Sequence, residues 1–324
     1  MTSGIVTDFM SETLLDLPPA EDAICFRRRP VAIVGLGLMG GSLALALKAA
    51  GHHGSIIGIA RRSQTLEAAL AMDAIDDGDG SLAAVARAEL VILATPVRTL
   101  LRQIAEVTGH MQPGALLLDL GSTKQSVCQA LALAPPDLQV LGGHPMCGKE
   151  TSGLEAADAA LYKDKTFVLC PLPRTSASSL ATGLALITAV GGRPLMLDPA
   201  RHDRLAAAIS HLPYLASAAL VQVAAQVGAA DDRVWQVAAS GFRDTSRLAG
   251  SDPAMMLDIL LTNVPAVRAA LAGLRTQLEQ MDAWLAAGDE AALHQALHVV
   301  QAQRQAFARQ PWRAALDATA GEIS

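Results

Sequence analysis

Cysteine is scarce in this sequence, and the four that occur stand far apart. Cys25, Cys128, Cys147 and Cys170 include no Cys-x-x-Cys pair in 324 residues. A structural zinc site or a disulfide framework requires closely spaced cysteines, so we expect neither, and no bound metal. The scarcity also suits a reducing compartment.

Charge is sparse as well. Charged residues make up 17% of the chain, hydrophobic residues make up 51%, and the formal net charge is -6. An acidic chain gives no electrostatic reason to expect nucleic acid as a partner. Length and composition are those of a soluble globular protein with two domains of ordinary size.

No targeting signal is apparent. The first 29 residues hold five acidic side chains before a basic run, whereas a secretory signal starts basic and continues apolar. We predict that residues 1–29 form a disordered or poorly ordered extension. The most membrane-like stretch, residues 31–47, contains five Gly or Ser residues and fits a strand, a turn and a helix better than a span. We therefore expect a cytoplasmic protein without membrane contact.

A glycine fingerprint opens the first domain. The β-branched run Val31–Val34 predicts a buried strand, and helix-forming residues begin at 42. Between them a G-x-G-x-x-G match consists of Gly35, Leu36, Gly37, Leu38, Met39 and Gly40. Its glycines would permit a tight turn, the approach of a pyrophosphate and close helix packing, at a helix end that attracts phosphate. The alternative is a glycine-rich turn without a ligand.

Five more strand-like segments follow, with helical patterns between several of them, such as 64–72 and 99–107. The strand-like segments are 55–60, 90–95, 115–119, 140–142 and 166–170. This alternation predicts an α/β fold of the Rossmann type with a doubly wound parallel sheet. Ligands of such sheets lie beyond the carboxyl ends of the strands, where Thr95, Pro96 and residues 121–124 fall.

The end of the second strand bears on the cofactor. An NAD site usually has an acidic residue there for the ribose 2′-hydroxyl, but this chain has Arg61, Arg62 and Ser63. Two guanidinium groups and a hydroxyl suit a 2′-phosphate, which favours NADP over NAD. The alternative is a solvated basic turn.

Residues 142–153 read Gly-Gly-His-Pro-Met-Cys-Gly-Lys-Glu-Thr-Ser-Gly. They place His144 in a polar segment punctuated by glycine. We predict a loop that holds the imidazole at the edge of a cleft, as a binding or catalytic histidine.

The chain changes character near residue 200, where alanine- and leucine-rich stretches at helical spacing begin. The best helical patterns cover 202–227, 232–239, 255–279 and 290–307, and Asp252-Pro253 is typical of a helix start. We predict a dinucleotide-binding domain over 30–198, an all-α substrate and dimerisation domain over 199–312, and a tail over 313–324. Helices that are apolar around much of their surface favour a second subunit as cover.

Several motifs together carry a resemblance to a known family. They are Gly35-Leu-Gly-Leu-Met-Gly-Gly-Ser42, Asp119-Leu-Gly-Ser-Thr-Lys124, Gly142-Gly-His-Pro-Met-Cys-Gly-Lys-Glu150, His202-Asp203, Ser210-His-Leu-Pro213, Gly241-Phe-Arg-Asp-Thr-Ser-Arg247 and Ser251-Asp-Pro253. Across residues 30–310 the chain resembles the prephenate/arogenate dehydrogenases of tyrosine biosynthesis. The resemblance implies hydride transfer from ring C4 to a nicotinamide with loss of CO2, so that prephenate gives 4-hydroxyphenylpyruvate and arogenate gives tyrosine.

The resemblance also implies roles for single residues. His144 would accept the proton of the C4 hydroxyl, which requires a neutral imidazole. Ser122 would hydrogen-bond near that hydroxyl, although it could equally cap a helix over 124–131. His211 would contact the substrate side chain, the alternative being a core histidine.

Charged residues would complete the site. By resemblance Arg247 holds a substrate carboxylate; the alternative is a surface ion pair with Asp244. Asp244 could instead pair with the ammonium of arogenate, which mildly favours arogenate over prephenate. Glu150 would join an ion pair at the entrance, or remain a solvated loop charge. Met256 stands where many relatives have tryptophan, which removes an indole N–H from the site.

Two rival functions remain open. A dehydrogenase of the 3-hydroxyacid or 6-phosphogluconate type would need a catalytic lysine on a long helix, and no lysine follows Lys165. A non-catalytic NADP-sensing module would leave Ser122, His144 and Arg247 without a shared purpose.

Overall fold

The computed structural model describes residues 25–149 and 151–309. The tail over 313–324 and residues 1–24 of the expected extension lie outside the described residues. Phe26 is 2% exposed, and its ring centroid lies 5.3 Å from that of His52. Phe26 is therefore packed, and the extension over 1–29 with its boundary at residue 30 stays a prediction.

An eight-stranded sheet forms the first half of the described chain, in the order β3-β2-β1-β4-β5-β6-β7-β8. The strands are β1 Val31–Val34, β2 Ile56–Ile59, β3 Asp77–Asp79, β4 Leu90–Leu93, β5 Leu116–Asp119, β6 Gln139–Pro145, β7 Thr166–Cys170 and β8 Arg193–Met196. The apolar strands at the centre, β1, β2, β4 and β5, are buried at every position because helices cover both faces.

The sheet is not parallel throughout, which corrects one expectation. Strands β3 to β6 run parallel, β7 runs antiparallel to β6, and β8 is parallel to β7. Strands β3 and β8 were not predicted, because Asp-Gly-Asp is polar and Arg-Pro-Leu-Met contains a proline. Both are edge strands, where polar residues and proline are tolerated.

Five α-helices accompany the sheet between residues 25 and 198 as far as the structure describes them. They are α1 Leu38–Ala49, α2 Ser63–Ala71, α3 Val97–His110, α4 Gln125–Ala132 and α5 Ala177–Ala189. Two hydrophobic clusters lie on the two faces of the sheet, one including Leu43 and Ile92 and the other Val91 and Leu100. The layered arrangement confirms the predicted Rossmann-type architecture, with the carboxyl ends of β1, β4 and β5 along one edge.

Helices make up the second half of the described chain. They are α6 Pro199–Ala206, a π-helical turn Ala207–His211, α7 Leu212–Gly228, α8 Ser240–Ser246, α9 Pro253–Thr262, α10 Val264–Ala287 and α11 Glu290–Ala308. The predicted helix over 232–239 is reduced to a 3-10 turn, Asp232–Trp235. The predicted helix over 255–279 is broken at Asn263, where α9 and α10 meet at 97°. Asp252 caps α9 through the N–H of Ala254 at 2.7 Å, as Asp-Pro predicted.

The helical run Pro199–Gly228 is long and apolar enough to cross a membrane by length and composition alone. Within it, 22% of an apolar stretch of 18 residues is buried in the protein. It nevertheless carries four buried polar side chains, His202, Asp203, His211 and Ser217. His202 and Asp203 bond to residues of the sheet domain, and together with His211 they form one wall of the candidate site.

Candidate active site

The glycine turn after β1 has the shape of a phosphate cradle. Gly35 has a φ of +99°, and a Cβ there would lie 2.8 Å from Cγ2 of Thr95. A Cβ on Gly40 would overlap the carbonyl oxygen of Gly35, whereas one on Gly37 would meet nothing within 4 Å. The turn therefore requires glycine at two positions and leaves open space at the third, at the amino terminus of α1. A dinucleotide pyrophosphate fits this arrangement.

The predicted residues Thr95 and Pro96 lie beside this turn. The Thr95 side chain contacts Gly35, and its hydroxyl donates to Oε1 of Gln103 at 2.7 Å. Pro96 is the N-cap residue of α3. The structure thus brings the ends of β1 and β4 together around one cleft.

The end of β2 presents Arg61, Arg62 and Ser63, and all three are exposed. The neighbouring strand offers an acid, Asp79, paired in register with Ile59. Its carboxylate accepts from the N–H of Ser81 at 2.8 Å and from the guanidinium of Arg87 at 3.5 Å. This acid is therefore already bound within the protein.

His144 lies on strand β6 rather than in a loop, which corrects the predicted setting. Two glycines precede it, and the strand continues past the parallel part of the sheet to pair His144 with Val168 of β7. A Cβ on Gly143 would lie 2.5 Å from the carbonyl oxygen of Asp119. Glycine here permits the close approach of β5 and β6, and the partly buried imidazole is held by a rigid strand.

A chain of hydrogen bonds runs from His144 into the helical domain. Nδ1 of His144 lies 2.8 Å from Nε2 of His202, and Nδ1 of His202 lies 2.8 Å from Oδ1 of Asp203. A carboxylate only accepts, so Nδ1 of His202 donates to Asp203. Where Nε2 of His202 accepts, Nδ1 of His144 donates to it, and the neutral His144 ring keeps a lone pair on its Nε2. This arrangement suits a base.

Electrostatics also keep His144 neutral. Burial, followed by the neighbouring His202 and Lys124, holds the pKa of the His144 imidazole well below its ordinary value of 6.5. A neutral ring at cell pH is the form that can accept a proton.

Asp203 also joins the two domains. Its Oδ1 accepts from the N–H of Lys124 at 2.7 Å, and its Oδ2 accepts from the N–H of Gln125 at 2.9 Å. It thereby caps α4 from another domain, a role that the sequence suggested for Ser122. Ser122 is half-buried and has no side-chain hydrogen bond within the described parts of the chain, so its hydroxyl is available for a ligand.

A buried ion pair supports the same edge of the sheet. The ammonium of Lys124 bonds to Oδ2 of Asp119, and both side chains are 0% exposed. Asp119 also accepts from the N–H of Gly121 at 2.8 Å and of Gly143 at 3.1 Å. A buried charge pair with these extra bonds fixes the Ser122 turn relative to the His144 strand.

His211 ends the π-helical turn and is 1% exposed. Its Nδ1 lies 3.3 Å from Nδ2 of Asn263. Burial lowers its pKa to about 4, although the Asp203 carboxylate acts in the opposite direction. The interactions of His211 with Asp203 and His202 place it in the same cluster as His144.

The remaining predicted charges lie further out. Asp244 is exposed and accepts from Nε of Arg243 at 3.0 Å. Arg247 begins a short 3-10 turn, and its side chain is exposed. The hydroxyl of Ser217 holds this segment against α7, since it donates to the carbonyl of Thr245 at 2.9 Å and accepts from the N–H of Ala249 at 3.1 Å. Glu150 lies outside the described residues, and Met256 is buried at 6% exposure.

Sequence reasoning missed five residues of this cluster: Asp119, Lys124, His202, Asp203 and Asn263. Four of them lie inside motifs noted above, but adjacency in sequence did not show that they meet across domains. A signal was nevertheless present in the motif His202-Asp203, which lies between Arg201 and Arg204 just before an apolar helical run.

A glycine cradle and a partly buried histidine at one edge of such a sheet, followed by a helical second domain, are typical of dehydrogenases that use a nicotinamide dinucleotide. Residues 43–196 match the family model described as "Prephenate dehydrogenase, nucleotide-binding domain", and residues 198–299 match "Prephenate dehydrogenase, dimerization domain". The chain therefore belongs to the prephenate/arogenate dehydrogenase family.

Individual relatives agree. A prephenate dehydrogenase of Bacillus subtilis is 35% identical over 79% of this chain and 67% of its own length. A cyclohexadienyl dehydrogenase of Zymomonas mobilis is 30% identical over 80% of this chain and 89% of its own. The crystal structure of A. aeolicus prephenate dehydrogenase in complex with hydroxyphenyl propionate and NAD+ has a TM-score of 0.81 at 30% identity, covering 86% of this chain and 98% of that one. Synechocystis arogenate dehydrogenase has a TM-score of 0.76 at 30% identity, covering 86% and 99%.

The rival class shares the fold alone. A 3-hydroxyisobutyrate dehydrogenase of Mycobacterium tuberculosis has a TM-score of 0.53 at 20% identity, covering 75% of this chain and 87% of that one.

Proposed function

We propose that the protein catalyses the NADP-dependent oxidative decarboxylation of prephenate, arogenate or both. The observation that carries the proposal is the chain His144–His202–Asp203, which leaves Nε2 of His144 as a base at the carboxyl edge of a dinucleotide-binding sheet. The glycine turn and the amino terminus of α1 would hold the pyrophosphate.

The cofactor supplies the hydride acceptor. Nε2 of His144 takes the proton of the C4 hydroxyl as hydride leaves the same carbon. The positive charge that His144 then gains is stabilised through His202 by Asp203. The bond between the ring and its carboxylate breaks, CO2 leaves, and the freed electron pair makes the ring aromatic. The C4 oxygen then takes the proton back from His144. Both domains therefore contribute to one proton-transfer unit.

Substrate contacts form the second part of the proposal. Ser122, whose hydroxyl has no hydrogen bond within the described residues, would donate to or accept from the C4 oxygen beside His144. His211 would contact the substrate side chain, and Arg247 would hold a carboxylate in a bidentate pair. Glu150 would take part in a gating pair at the entrance. Asp244 as an ammonium partner would favour arogenate, but at the surface it already pairs with Arg243.

The preference for NADP rests on the end of β2. Arg61, Arg62 and Ser63 are exposed there and open to a 2′-phosphate. The acid on the neighbouring strand, Asp79, already accepts from the N–H of Ser81 and pairs with Arg87.

A homodimer through the helical domain, in the cytoplasm, completes the proposal. Leu271, Leu278 and Leu285 recur every seven residues on α10 and are 38%, 55% and 66% exposed. Such a stripe suits packing against a second copy. The domains would divide near residue 198, between β8 and α6.

The deciding experiment offers purified protein prephenate and arogenate, each with NAD and with NADP, and follows the absorbance of the reduced cofactor. We expect turnover with at least one substrate and a higher kcat/KM with NADP. No turnover with any of the four pairs would exclude the enzyme function. A preference for NAD would refute the proposed role of Arg61, Arg62 and Ser63 in binding the 2′-phosphate, but not the enzyme function.

A further inference from the structure

Asn263 is the single asparagine of the chain, and it occupies the bend between α9 and α10. Asparagine is favoured at such a position because its side chain can cap the helix that follows. Asn263 is the N-cap residue of α10 but makes no side-chain capping bond. It is 4% exposed, so its amide is directed into the protein for another purpose.

The amide contacts determine its orientation. Nδ2 of Asn263 donates to the carbonyl oxygen of Asp203 at 2.8 Å and lies 3.3 Å from Nδ1 of His211. A backbone carbonyl can only accept, so the atom beside it must be the NH2 group. The second hydrogen of that group faces Nδ1 of His211, which must therefore accept.

This bond decides where His211 carries its proton. Burial lowers the pKa of His211 to about 4, so the ring holds one hydrogen at neutral pH. With Nδ1 accepting, that hydrogen is on Nε2. Nε2 has no hydrogen-bond partner among the described residues. Among the described residues, Nδ1 of His52 is the one fully buried side-chain N or O atom without a hydrogen-bond partner. Since Nε2 of His211 also lacks a partner, it cannot be fully buried and is accessible to a ligand.

We propose that Asn263 is a positioning residue that fixes the Nε2–H tautomer of His211, so that His211 donates a hydrogen bond to the side-chain carboxylate of the substrate. The proposal rests on the proposed function, in which His211 contacts that side chain. Prephenate and arogenate both carry the carboxylate, so the contact serves either. A neutral donor also adds no positive charge next to the His144–His202 chain, where it would oppose proton uptake.

The first test reads the tautomer directly in the full-length protein. Long-range 15N NMR of the histidine side chains, assigned with His211→Gln, distinguishes the protonated ring nitrogen from the accepting one. We expect Nε2 to be protonated in the wild type at pH 7.5, and a mixture of tautomers in Asn263→Leu. A wild-type ring protonated on Nδ1 would overturn the proposal. This measurement needs no turnover, so it stands even if the proposed function fails.

The second test is a double-variant cycle in steady-state kinetics. Asn263→Leu should raise KM for the substrate about tenfold, the effect of losing a hydrogen bond to a charged group, and change kcat less than about threefold. His211→Gln should raise KM similarly, and the double variant no further, because Asn263 acts through His211. Additive effects, or an unchanged KM in Asn263→Leu, would contradict the proposal.

Thr262→Val is the matched control, because Thr262 stands at the same bend and its hydroxyl contacts that of Thr123 at 2.9 Å, away from His211. We expect it to leave KM and the His211 tautomer unchanged. A tenfold rise in KM in Thr262→Val would show that the effect of Asn263→Leu comes from a disturbed bend rather than from His211, and it would overturn the proposal. If Asn263→Leu fails to fold, the protonated nitrogen of His211 in the wild-type protein still tests the proposal.

Discussion

The sheet domain and the helical domain differ in where their apolar side chains lie. Strands β1, β2, β4 and β5 are buried at every position. In the helical domain, α7 has 17 residues and buries Ser217 alone, while α11 has 19 residues and buries none. The sheet domain therefore encloses its own core, whereas the helical domain presents apolar side chains that a second copy could cover.

The comparison also shows what the helical domain does bury. Its buried polar side chains include His202, Asp203, His211 and Asn263. His202 and Asp203 bond to the sheet domain, and Asn263 bonds to Asp203 and lies beside His211. The proposed proton-transfer unit and the contact between the domains therefore involve the same side chains.

The largest expected effect is on the catalytic rate, and it tests His144 as the base. His144→Asn should lower kcat about a thousandfold, the usual range for loss of a general base, and leave NADP binding unchanged. Stopped-flow and steady-state kinetics together with cofactor titration measure both. His110→Asn, an exposed site at the end of α3, serves as the control and should keep the wild-type rate. A near-normal rate in His144→Asn would remove this histidine from the mechanism.

The next effect is on stability, and it compares an apolar residue in the core of the sheet domain with an exposed apolar residue of the helical domain. Ile92→Ala, at a fully buried position of β4, should lower the free energy of unfolding by about 3 kcal/mol at any protein concentration. Leu278→Ala should lower the apparent stability only in a concentration-dependent way, because its cover comes from a partner. Chemical denaturation at several protein concentrations measures both changes.

Leu133→Ala is the control for Leu278→Ala, since Leu133 is 86% exposed on the sheet domain. It should have almost no effect at any concentration. If Leu278→Ala behaves in the same way, the contrast between an enclosed and a shared apolar surface does not hold at α10.

Acid should weaken the boundary between the domains. The folded pKa of His211 is about 4, below its ordinary value of 6.5, so the unfolded chain binds the proton more readily. The stabilisation is complete above pH 6.5 and is lost as the pH falls to about 4, by roughly 3 kcal/mol. Denaturation at pH 7.5 and 4.5 measures the loss. His211→Gln should reduce this loss, and an equal pH dependence in both proteins would contradict the assignment.

The smallest expected effect concerns the cofactor alone. Arg61→Ala should raise KM for NADP about tenfold and leave KM for NAD unchanged, because it removes one charged hydrogen bond to the 2′-phosphate. Arg102→Ala, on the exposed side of α3, should alter neither value. Equal changes for both cofactors would show that Arg61 does not recognise the phosphate.

Local sequence signals predicted much of the sheet domain. The runs at Val31–Val34 and Leu90–Leu93 are apolar, and most of their residues are β-branched or leucine, so each identifies a buried strand without further context. The edge strand β3 escaped prediction because Asp-Gly-Asp is polar, and the bend at Asn263 escaped it because apolar helical patterns lie on both sides. The antiparallel pairing of β7 depends on a partner distant in sequence.

The candidate site divides in the same way. The sequence by itself determined the glycine cradle and the family, and it predicted a role for His144, because these depend on residue types at fixed short spacings. Tertiary structure alone decided that Asp203 caps α4, that His202 bonds to His144 and that Asn263 faces His211. Each of these contacts joins residues that are 52 or more positions apart. A hydrogen bond depends on distance and direction in space, and no spacing along one segment encodes the meeting of two domains.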